Sequence, residues 1–241
     1  MRLPLSEEHP GLSWYLIDQL RTAEDLLVFD NMYELCEASF PEASERQSKA
    51  SWTEALSSRD IGYSLSFIVA RDGYEVAGGI AFEYYPLSAC GLLTFVFVRE
   101  RYRKQKLGRA LVERAHKQLR SGKPLHYVFA EVEDPERVDR SRIKSAIDPR
   151  LRLRILARLG ARAIPIRYIQ PALEPGQQPA EHLMLLILAP HEATSIDRSR
   201  LTTFLHEFYA SLDVSEPDEA KLLVIAFAGL EGEKIPVFPL A

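Results

Sequence analysis

The stretch from Leu92 to Leu119, LLTFVFVRERYRKQKLGRALVERAHKQL, decides the fold of this chain of 241 residues. Residues 92–98 form a near-continuous apolar, β-branched and aromatic run, which predicts a strand covered on both faces. From Leu107 onward the apolar residues recur at helical spacing, at Leu111, Ala115 and Leu119. The stretch therefore predicts a strand, a basic turn and a helix in succession.

The basic turn, RERYRKQKLGR, predicts a binding site for an anion. It contains six basic residues and one acid, Glu100. The first turn of a helix offers N–H groups without a partner in the helix, together with the positive end of the helix dipole. Gly108 has no Cβ and lets a ligand approach the backbone. A solvated basic loop explains the same residues equally well, and the two standard glycine-rich phosphate motifs are both absent.

The segment resembles the acyl-CoA-binding motif of the GNAT superfamily of N-acyltransferases, R/Q-x-x-G-x-G/A after a strand that ends in valine. In this register Val98 ends the strand, Arg103 takes the R/Q place and Gly108 takes the final G/A place. Lys106 departs from the pattern, because it stands where the first glycine is expected. A second register also fits the letters, with the three places taken by Gln105, Gly108 and Ala110, but the distance from strand to turn favours the first.

The order of predicted elements adds to the resemblance, which covers residues 14–188. Periodicity and turn residues predict strands at 14–20, 63–70, 76–84, 92–98, 125–133, 163–169 and 182–188. They predict helices at 22–40, where Thr22 and Asp25 resemble a capping box, at 44–57, from Leu107 and at 148–160. The resulting order, β-α-α-β-β-β-turn-α-β-α-β-β, is the GNAT order. The resemblance implies an α/β fold with a mixed, mostly antiparallel central sheet flanked by helices and followed by a C-terminal extension.

Two domains are expected, residues 1–190 as the acyltransferase domain and residues 191–241 as an extension. The extension is predicted to contain a helix at 201–212 and a strand at 221–227. Its apolar end, IPVFPLA, either covers an edge of the sheet or contacts a partner subunit, as in a homodimer. Residues 134–147 form an unusually polar insertion before the helix that Asp148 and Pro149 open.

Composition and charge limit the class of protein. A net charge of −4 gives no general case for binding nucleic acid, so that a basic contact to nucleic acid at 99–109 and 137–158 is disfavoured. Two cysteines suit a reducing compartment. No apolar run reaches membrane-spanning length, and the N-terminal MRLPLSEEHPG lacks a signal-peptide pattern. A cytoplasmic protein without a membrane partner is expected.

The resemblance implies acetyl-CoA, or another acyl-CoA, as the co-substrate. Backbone groups of Val96, Phe97 and Val98 would pair with the pantetheine arm. Together with Arg103, the amides of the turn would hold the pyrophosphate, at Lys104, Gln105, Lys106, Leu107, Gly108 and Arg109. No metal is expected, since none of the six histidines shows metal-ligand spacing. The partner would be a small-molecule or peptide amine, and nearby acidic residues mildly favour a cationic one.

N-acyl transfer needs a base that removes a proton from the amine. The family often places a glutamate on the strand after the motif helix, and Glu131 in FAEV matches this place. By strand alternation Glu133 shares its face and is the second candidate, and Glu83 on an earlier strand is a weaker one. Both carboxylates of the later strand are alternatively explained as solvated strand residues.

The family's general acid, a tyrosine four residues before the glycine that ends the later helix, is replaced here by Leu156. Tyr127, Tyr168 and Tyr84 remain alternatives, with Tyr168 taken as the candidate site residue, or the thiolate leaves without an acid. The sequence therefore predicts an N-acyltransferase that moves an acetyl or other acyl group from CoA to an amine by direct attack. The alternative is a non-catalytic CoA-binding or protein-interaction module, which the Leu156 and Lys106 departures favour.

Overall fold

The strands and helices follow one another in the order predicted for residues 14–188. The computed structural model describes residues 2–3, 9–58, 62–138, 148–188 and 193–240. The strands are β1 (Arg2–Leu3), β2 (Ser13–Ile17), β3 (Ser64–Asp72), β4 (Glu75–Tyr85), β5 (Cys90–Val98), β6 (Tyr127–Glu133), β7 (Ala161–Ala163), β8 (Leu183–Leu188), β9 (Ser195–Asp197), β10 (Lys234–Pro236) and β11 (Phe238–Pro239). The helices are α1 (Ala23–Ser39), α2 (Lys49–Ser57), α3 (Leu107–Leu119), α4 (Pro149–Arg158), α5 (Arg198–Ser211) and α6 (Glu216–Ala226).

The fold class is the predicted one, an α/β fold with a mixed, mostly antiparallel central sheet flanked by helices. The chain divides into two units, one of Met1–Tyr84 with Leu93–Pro124 and one of Tyr85–Leu92 with Leu125–Ala241. In the first unit the strands β1, β2, β3 and β4 pair in sequence as antiparallel neighbours. In the second unit the order is β6, β8, β7 and β11, and β9 and β10 form a separate antiparallel pair.

The core of the first unit is aromatic and lies between β3 and the helices α1 and α2. The side chain of Trp52 on α2 is 1% exposed, and its ring meets those of Phe67 and Phe95 edge-on at centroid distances of 4.9 and 5.5 Å. The predicted capping box begins α1, since Thr22 Oγ1 accepts from Asp25 N at 3.0 Å and Asp25 Oδ2 accepts from Thr22 N at 2.9 Å. The box holds α1 at a fixed start over the sheet.

A β-bulge in β4 holds the end of β5. Ala70 pairs with Gly78 and Arg71 with Val76, so that Ala77 is an extra residue in the ladder. The carbonyl of Ala77 accepts from Arg99 N at 2.9 Å. The bulge directly precedes the glycine pair 78–79.

Gly78 lets the backbones of β4 and β5 approach each other. A Cβ built at Gly78 would lie 2.8 Å from the carbonyl oxygen of Phe97 and 3.4 Å from Cα of Val98. Neither atom belongs to a flexible side chain. The absence of a side chain at this residue therefore sets the position of the strand end that precedes the basic turn.

The strand predicted at 163–169 is wrong beyond its first residue. The ladder of β7 ends at Ala163, because Pro165 has no N–H to donate and Ile166 N turns back to the carbonyl of Ile164 at 2.8 Å. Further along, Gln170 forms an isolated bridge with Ala180. The segment from 164 to 170 is thus irregular, and this conformation presents Tyr168 and Gln170 as described below.

The strand predicted at 221–227 is also wrong, because these residues belong to α6. The apolar run LLVIA indicated a strand, but Pro217 lies in the first turn of a helix, where its missing N–H has no consequence. Glu216, Asp218 and Glu219 add negative charge at the positive end of the helix dipole. The sequence SEPDE, residues 215–219, is therefore the start of the helix.

Other boundaries shift by a few residues. The second helix begins at Lys49, after Ser48 as its N-cap, and a 3-10 turn at Ala43–Glu45 takes the place of its predicted start. The apolar C-terminal end was expected either to cover an edge of the sheet or to contact a partner subunit. It reaches an edge of the sheet, since Phe238 pairs with Ala163. Residues 139–147 of the polar insertion lie outside the described residues, and the domain boundary at 190 stays a prediction.

We predict that Gly78→Ala lowers the free energy of unfolding by about 1–3 kcal/mol, because the added methyl group would overlap the Phe97 carbonyl. Urea denaturation measures the change. Gly11→Ala is the control, since a Cβ at Gly11 meets no atom within 4 Å. Equal stability of the two variants would contradict the close approach of β4 and β5.

Candidate active site

The basic turn is folded back onto the end of β5. Arg103, in the R/Q place of the motif, donates from Nε to the carbonyl of Val98 at 3.0 Å. Gln105 Nε2 donates to the carbonyl of Arg101 at 2.8 Å. Tyr102 donates to Asp72 Oδ2 at 2.7 Å, which attaches the turn to the β3–β4 hairpin. The turn is therefore held by its own side chains before any ligand binds.

Only some of the six basic residues remain available to an anion. Arg99 and Arg101 both form ion pairs with Glu75, the first at 3.3 Å. Arg109 pairs with Glu113 one helical turn on, at 2.6 Å. Sequence reasoning missed Glu75, which lies far from the turn in sequence and close to it in the first unit.

Lys104 and Lys106 are exposed cations of the turn. Neither takes part in an ion pair recorded among the described residues. Both have left-handed backbone conformations, each with φ of 61°. Two exposed ammonium groups beside a helix start are suited to a pyrophosphate.

The backbone conformation of Lys106 bears on the departure from the motif, in which a lysine stands where the first glycine is expected. It is the N-cap residue of α3, with φ 61° and ψ 8°, a region that glycine enters without steric cost. Its side chain makes no capping hydrogen bond, so that the first N–H groups of α3 are not capped by this residue. The backbone shape that the motif's glycine favours is thus present here with a lysine, which supports the first register.

The remaining predicted cofactor residues line the end of β5 and the start of α3. Val96 is 36% exposed, whereas Phe97 and Leu107 are buried at 3% and 2%. A Cβ at Gly108 would lie 3.8 Å from Val98 Cγ2, an ordinary contact. The structure therefore leaves room for alanine at 108, and a larger side chain would extend beyond this contact.

The second unit brings together two of the predicted catalytic residues and one residue that the sequence did not indicate. Glu131 on β6 accepts on Oε1 from the hydroxyl of Tyr168 and, at 2.8 Å, from Nε2 of Gln170. Tyr168 is 1% exposed and Gln170 is 8% exposed. Their side chains come from the irregular segment after β7, where Gln170 is held by backbone hydrogen bonds to Ala180 at 3.1 and 2.8 Å. No local sequence signal marks Gln170.

Burial controls the protonation of this cluster. Removal of the carboxylate from water raises the pKa of Glu131, and the hydrogen bonds from Tyr168 and Gln170 oppose this rise. Burial and the adjacent carboxylate raise the pKa of Tyr168 well above its ordinary value. The cluster therefore combines a carboxylate with increased proton affinity and a phenol that retains its proton.

The other candidates are engaged elsewhere. Glu133 is 8% exposed and pairs with Arg152 Nη1 at 2.9 Å. The Tyr127 hydroxyl donates to Asp197 Oδ2 at 2.8 Å, and that of Tyr84 donates to the carbonyl of Pro124 at 2.9 Å. Leu156 packs in an apolar cluster around Val132, Ala161 and Leu186.

Across the residues that the structure describes, no group of three or more potential ligand side chains could hold a metal ion. Within the same residues, no helix is both long and apolar enough to cross a membrane.

We predict that Lys106→Gly raises the free energy of unfolding by about 0.5–1 kcal/mol, because the left-handed conformation costs more for lysine than for glycine. The midpoint of guanidinium denaturation measures the gain. Lys117→Gly, an exposed change inside α3, is the control and should lower stability by about 0.5–1 kcal/mol. Destabilisation by both variants would contradict the left-handed assignment.

Comparison with known proteins gives one family match. Residues 29–140 match the model described as the acetyltransferase (GNAT) family. This range contains β3 to β6 and the whole basic turn. Comparison with curated protein sequences gives no match.

Solved structures share the fold. A GNAT-family protein from Bacteroides thetaiotaomicron is 17% identical, with a TM-score of 0.60 over 84% of this chain and 99% of its own. A GNAT-family acetyltransferase from Elizabethkingia anophelis with acetyl-CoA bound is 15% identical, with a TM-score of 0.45 over 75% and 99%. An aminoglycoside acetyltransferase from an uncultured soil sample is 16% identical, with a TM-score of 0.41 over 56% and 83%. The last two likenesses support no further conclusion. Residues 29–140 of this chain therefore match the acetyltransferase (GNAT) family model, and the first of these structures shares the fold.

Proposed function

We propose that the protein transfers an acyl group from acyl-CoA to an amine, with Glu131 as the general base. The observation that carries this proposal is the Glu131 carboxylate, desolvated and held by Tyr168 and Gln170. A base for amine chemistry at neutral pH works best when its pKa lies near the working pH, and burial moves Glu131 in that direction. The match of residues 29–140 to the acetyltransferase (GNAT) family model supports the reaction class.

The basic turn fits the polar part of acyl-CoA. Lys104 and Lys106 supply exposed positive charge, Arg103 fixes the turn, and α3 begins without a capping side chain. The backbone amides of residues 104–109 and the backbone of residues 96–98 are proposed to hold the pyrophosphate and the pantetheine arm. Acetyl-CoA is the proposed form of the co-substrate, and it supplies the thioester.

The proton transfers balance without a metal. The acceptor enters as an ammonium ion and gives one proton to Glu131. The free amine nitrogen then forms the bond to the acyl carbon, the carbon–sulfur bond breaks, and the second amine proton neutralises the departing thiolate. A thiolate is a moderate base, with a pKa near 8.5 for a free thiol, so that departure needs little acid assistance.

Tyr168 is proposed to orient Glu131 and to stabilise its charged form. Its raised pKa makes proton donation to a thiolate unfavourable, whereas a hydrogen bond to the carboxylate retains the phenol proton. Glu133 is proposed to act as the ion-pair partner of Arg152. Glu131 therefore remains as the carboxylate of β6 with an oxygen available to the amine.

The proposed acceptor is a cationic small-molecule or peptide amine in the cytoplasm. The remaining alternative is a CoA-binding module without turnover, which the Leu156 position favours.

We predict that the protein binds acetyl-CoA at the turn and that Gly108→Trp weakens this binding at least about tenfold, because the indole group would occupy the space beside the backbone amides. Titration calorimetry measures both. Gly108→Ala is the control and should retain the affinity, since its Cβ meets only Val98. Absence of binding by the wild type would contradict the cofactor assignment.

The reaction is tested with a panel of polyamines, aminoglycosides, amino acids and lysine peptides, by release of CoA from acetyl-CoA. We predict that Glu131→Gln lowers kcat about 10²- to 10⁴-fold with any amine that the wild type acylates. Retention of acetyl-CoA binding by the variant is its control. No acyl transfer to any amine of the panel would favour the module without turnover.

The same base predicts a pH profile. Since Glu131 acts deprotonated and its pKa is raised, kcat/KM should fall on the acid side at a pH above the ordinary carboxyl value near 4.3. Tyr168→Phe removes a hydrogen bond that lowers this pKa, so the acid limb should move to higher pH. Tyr127→Phe should leave the limb in place, because that hydroxyl contacts Asp197. An acid limb that does not move in Tyr168→Phe would exclude Glu131 as its origin.

A further inference from the structure

The buried face of α5 packs along β6, so that residues further along the helix contact residues further along the strand. At its start, Asp197 accepts from the Tyr127 hydroxyl at 2.8 Å. At its middle, the ring of Phe204 lies 4.5 Å from that of Phe129. Both contacts involve the β6 face that, by strand alternation, also carries Glu131.

The spacing of the two elements brings the next buried turn of α5 to Glu131. From Phe129 to Glu131 a strand advances about 7 Å. From Phe204 to Tyr209 a helix advances about 7.5 Å in the same direction. Phe208 continues the aromatic wall, stacked on Phe204 at 6.1 Å, and the residue after it is Tyr209. The register of helix and strand therefore brings the turn of α5 that carries Phe208 and Tyr209 to the level of Glu131 along β6.

The Tyr209 hydroxyl is a buried polar group without a protein partner. The residue is 0% exposed, and its hydroxyl oxygen has no hydrogen-bond partner in the described part of the chain. Buried polar groups are nearly always paired, and an unpaired one costs free energy of folding. Burial raises the pKa of Tyr209, and the negative charge of Glu131 adds to this rise. Burial and Glu131 likewise raise the pKa of Tyr168, with a smaller contribution from Tyr209.

We propose that Tyr209 is a third functional side chain of the Glu131 site and that its hydroxyl oxygen accepts an N–H of the amine from which Glu131 takes a proton. The C-terminal extension, which lies outside the family match at residues 29–140, then supplies part of the acceptor site. The inference rests on the proposed function.

A phenol has the chemistry that this role needs. It is neutral, so that it does not compete with Glu131 for the proton, and its oxygen accepts while its own hydrogen remains free to donate. Tyr168 and Gln170 both donate to Oε1 of Glu131. An ammonium group placed between Oε2 of Glu131 and the Tyr209 oxygen would satisfy the unpartnered hydroxyl and retain one N–H pointing away from the protein.

The test compares Tyr209→Phe with the wild type in acyl transfer to the panel amine that the wild type acylates fastest, with acetyl-CoA as donor. We expect kcat/KM for the amine to fall about tenfold to a hundredfold, the magnitude of a lost hydrogen bond to a charged group, with KM for acetyl-CoA unchanged. We also expect the melting temperature to stay the same or to rise, because the variant loses only a hydroxyl group that bonds to no described protein atom. A structural role would lower the melting temperature instead.

Tyr33→Phe is the matched control, since the Tyr33 hydroxyl donates to the carbonyl of Gln47 at 3.2 Å. This variant should melt at a lower temperature and retain its kcat/KM for the amine. An unchanged kcat/KM in Tyr209→Phe, with Glu131→Gln inactive, would overturn the role of Tyr209 and leave the proposed function intact. A wild-type protein that acylates no panel amine would overturn both.

Discussion

The hydrogen bond from Arg99 N to the carbonyl of Ala77 is the constraint on which the basic turn depends. The β-bulge leaves Ala77 without a partner residue in the register between β3 and β4. Gly78, the next residue, lets the backbones come within contact distance. Displacement of this junction would move the end of β5, the turn and the start of α3 together.

The turn itself shows how a ligand site is built before the ligand arrives. Arginine side chains neutralised by Glu75, or bonded to the backbone, give it shape, and the two lysines give it free charge. The left-handed conformation of Lys106 costs stability that glycine would not cost. Strain of this kind is common where the backbone is shaped for binding.

The Glu131 cluster uses burial to adjust a proton affinity. Two neutral donors hold the carboxylate without neutralising it, and burial acts against the charge. The extension contributes the aromatic wall of Phe204 and Phe208 on the same strand face. Within the second unit, the residues after 190 therefore belong to the surroundings of the cluster.

The sequence by itself determined the order of elements, the caps of α1 and α4, and the basic turn, because periodicity, capping residues and local charge are properties of neighbouring residues. The family resemblance indicated Glu131, through its place on the strand after the motif helix. The strand predictions at 164–169 and 221–227 were wrong for local reasons. At 164–169 Pro165 stops the ladder of β7, and at 221–227 an apolar run does not distinguish a helix from a strand. Only the tertiary structure decided which tyrosine meets Glu131, that Gln170 joins them and that Glu75 neutralises two arginines. The physical reason is that these contacts join residues far apart in sequence, and their partners are set by strand register and helix packing.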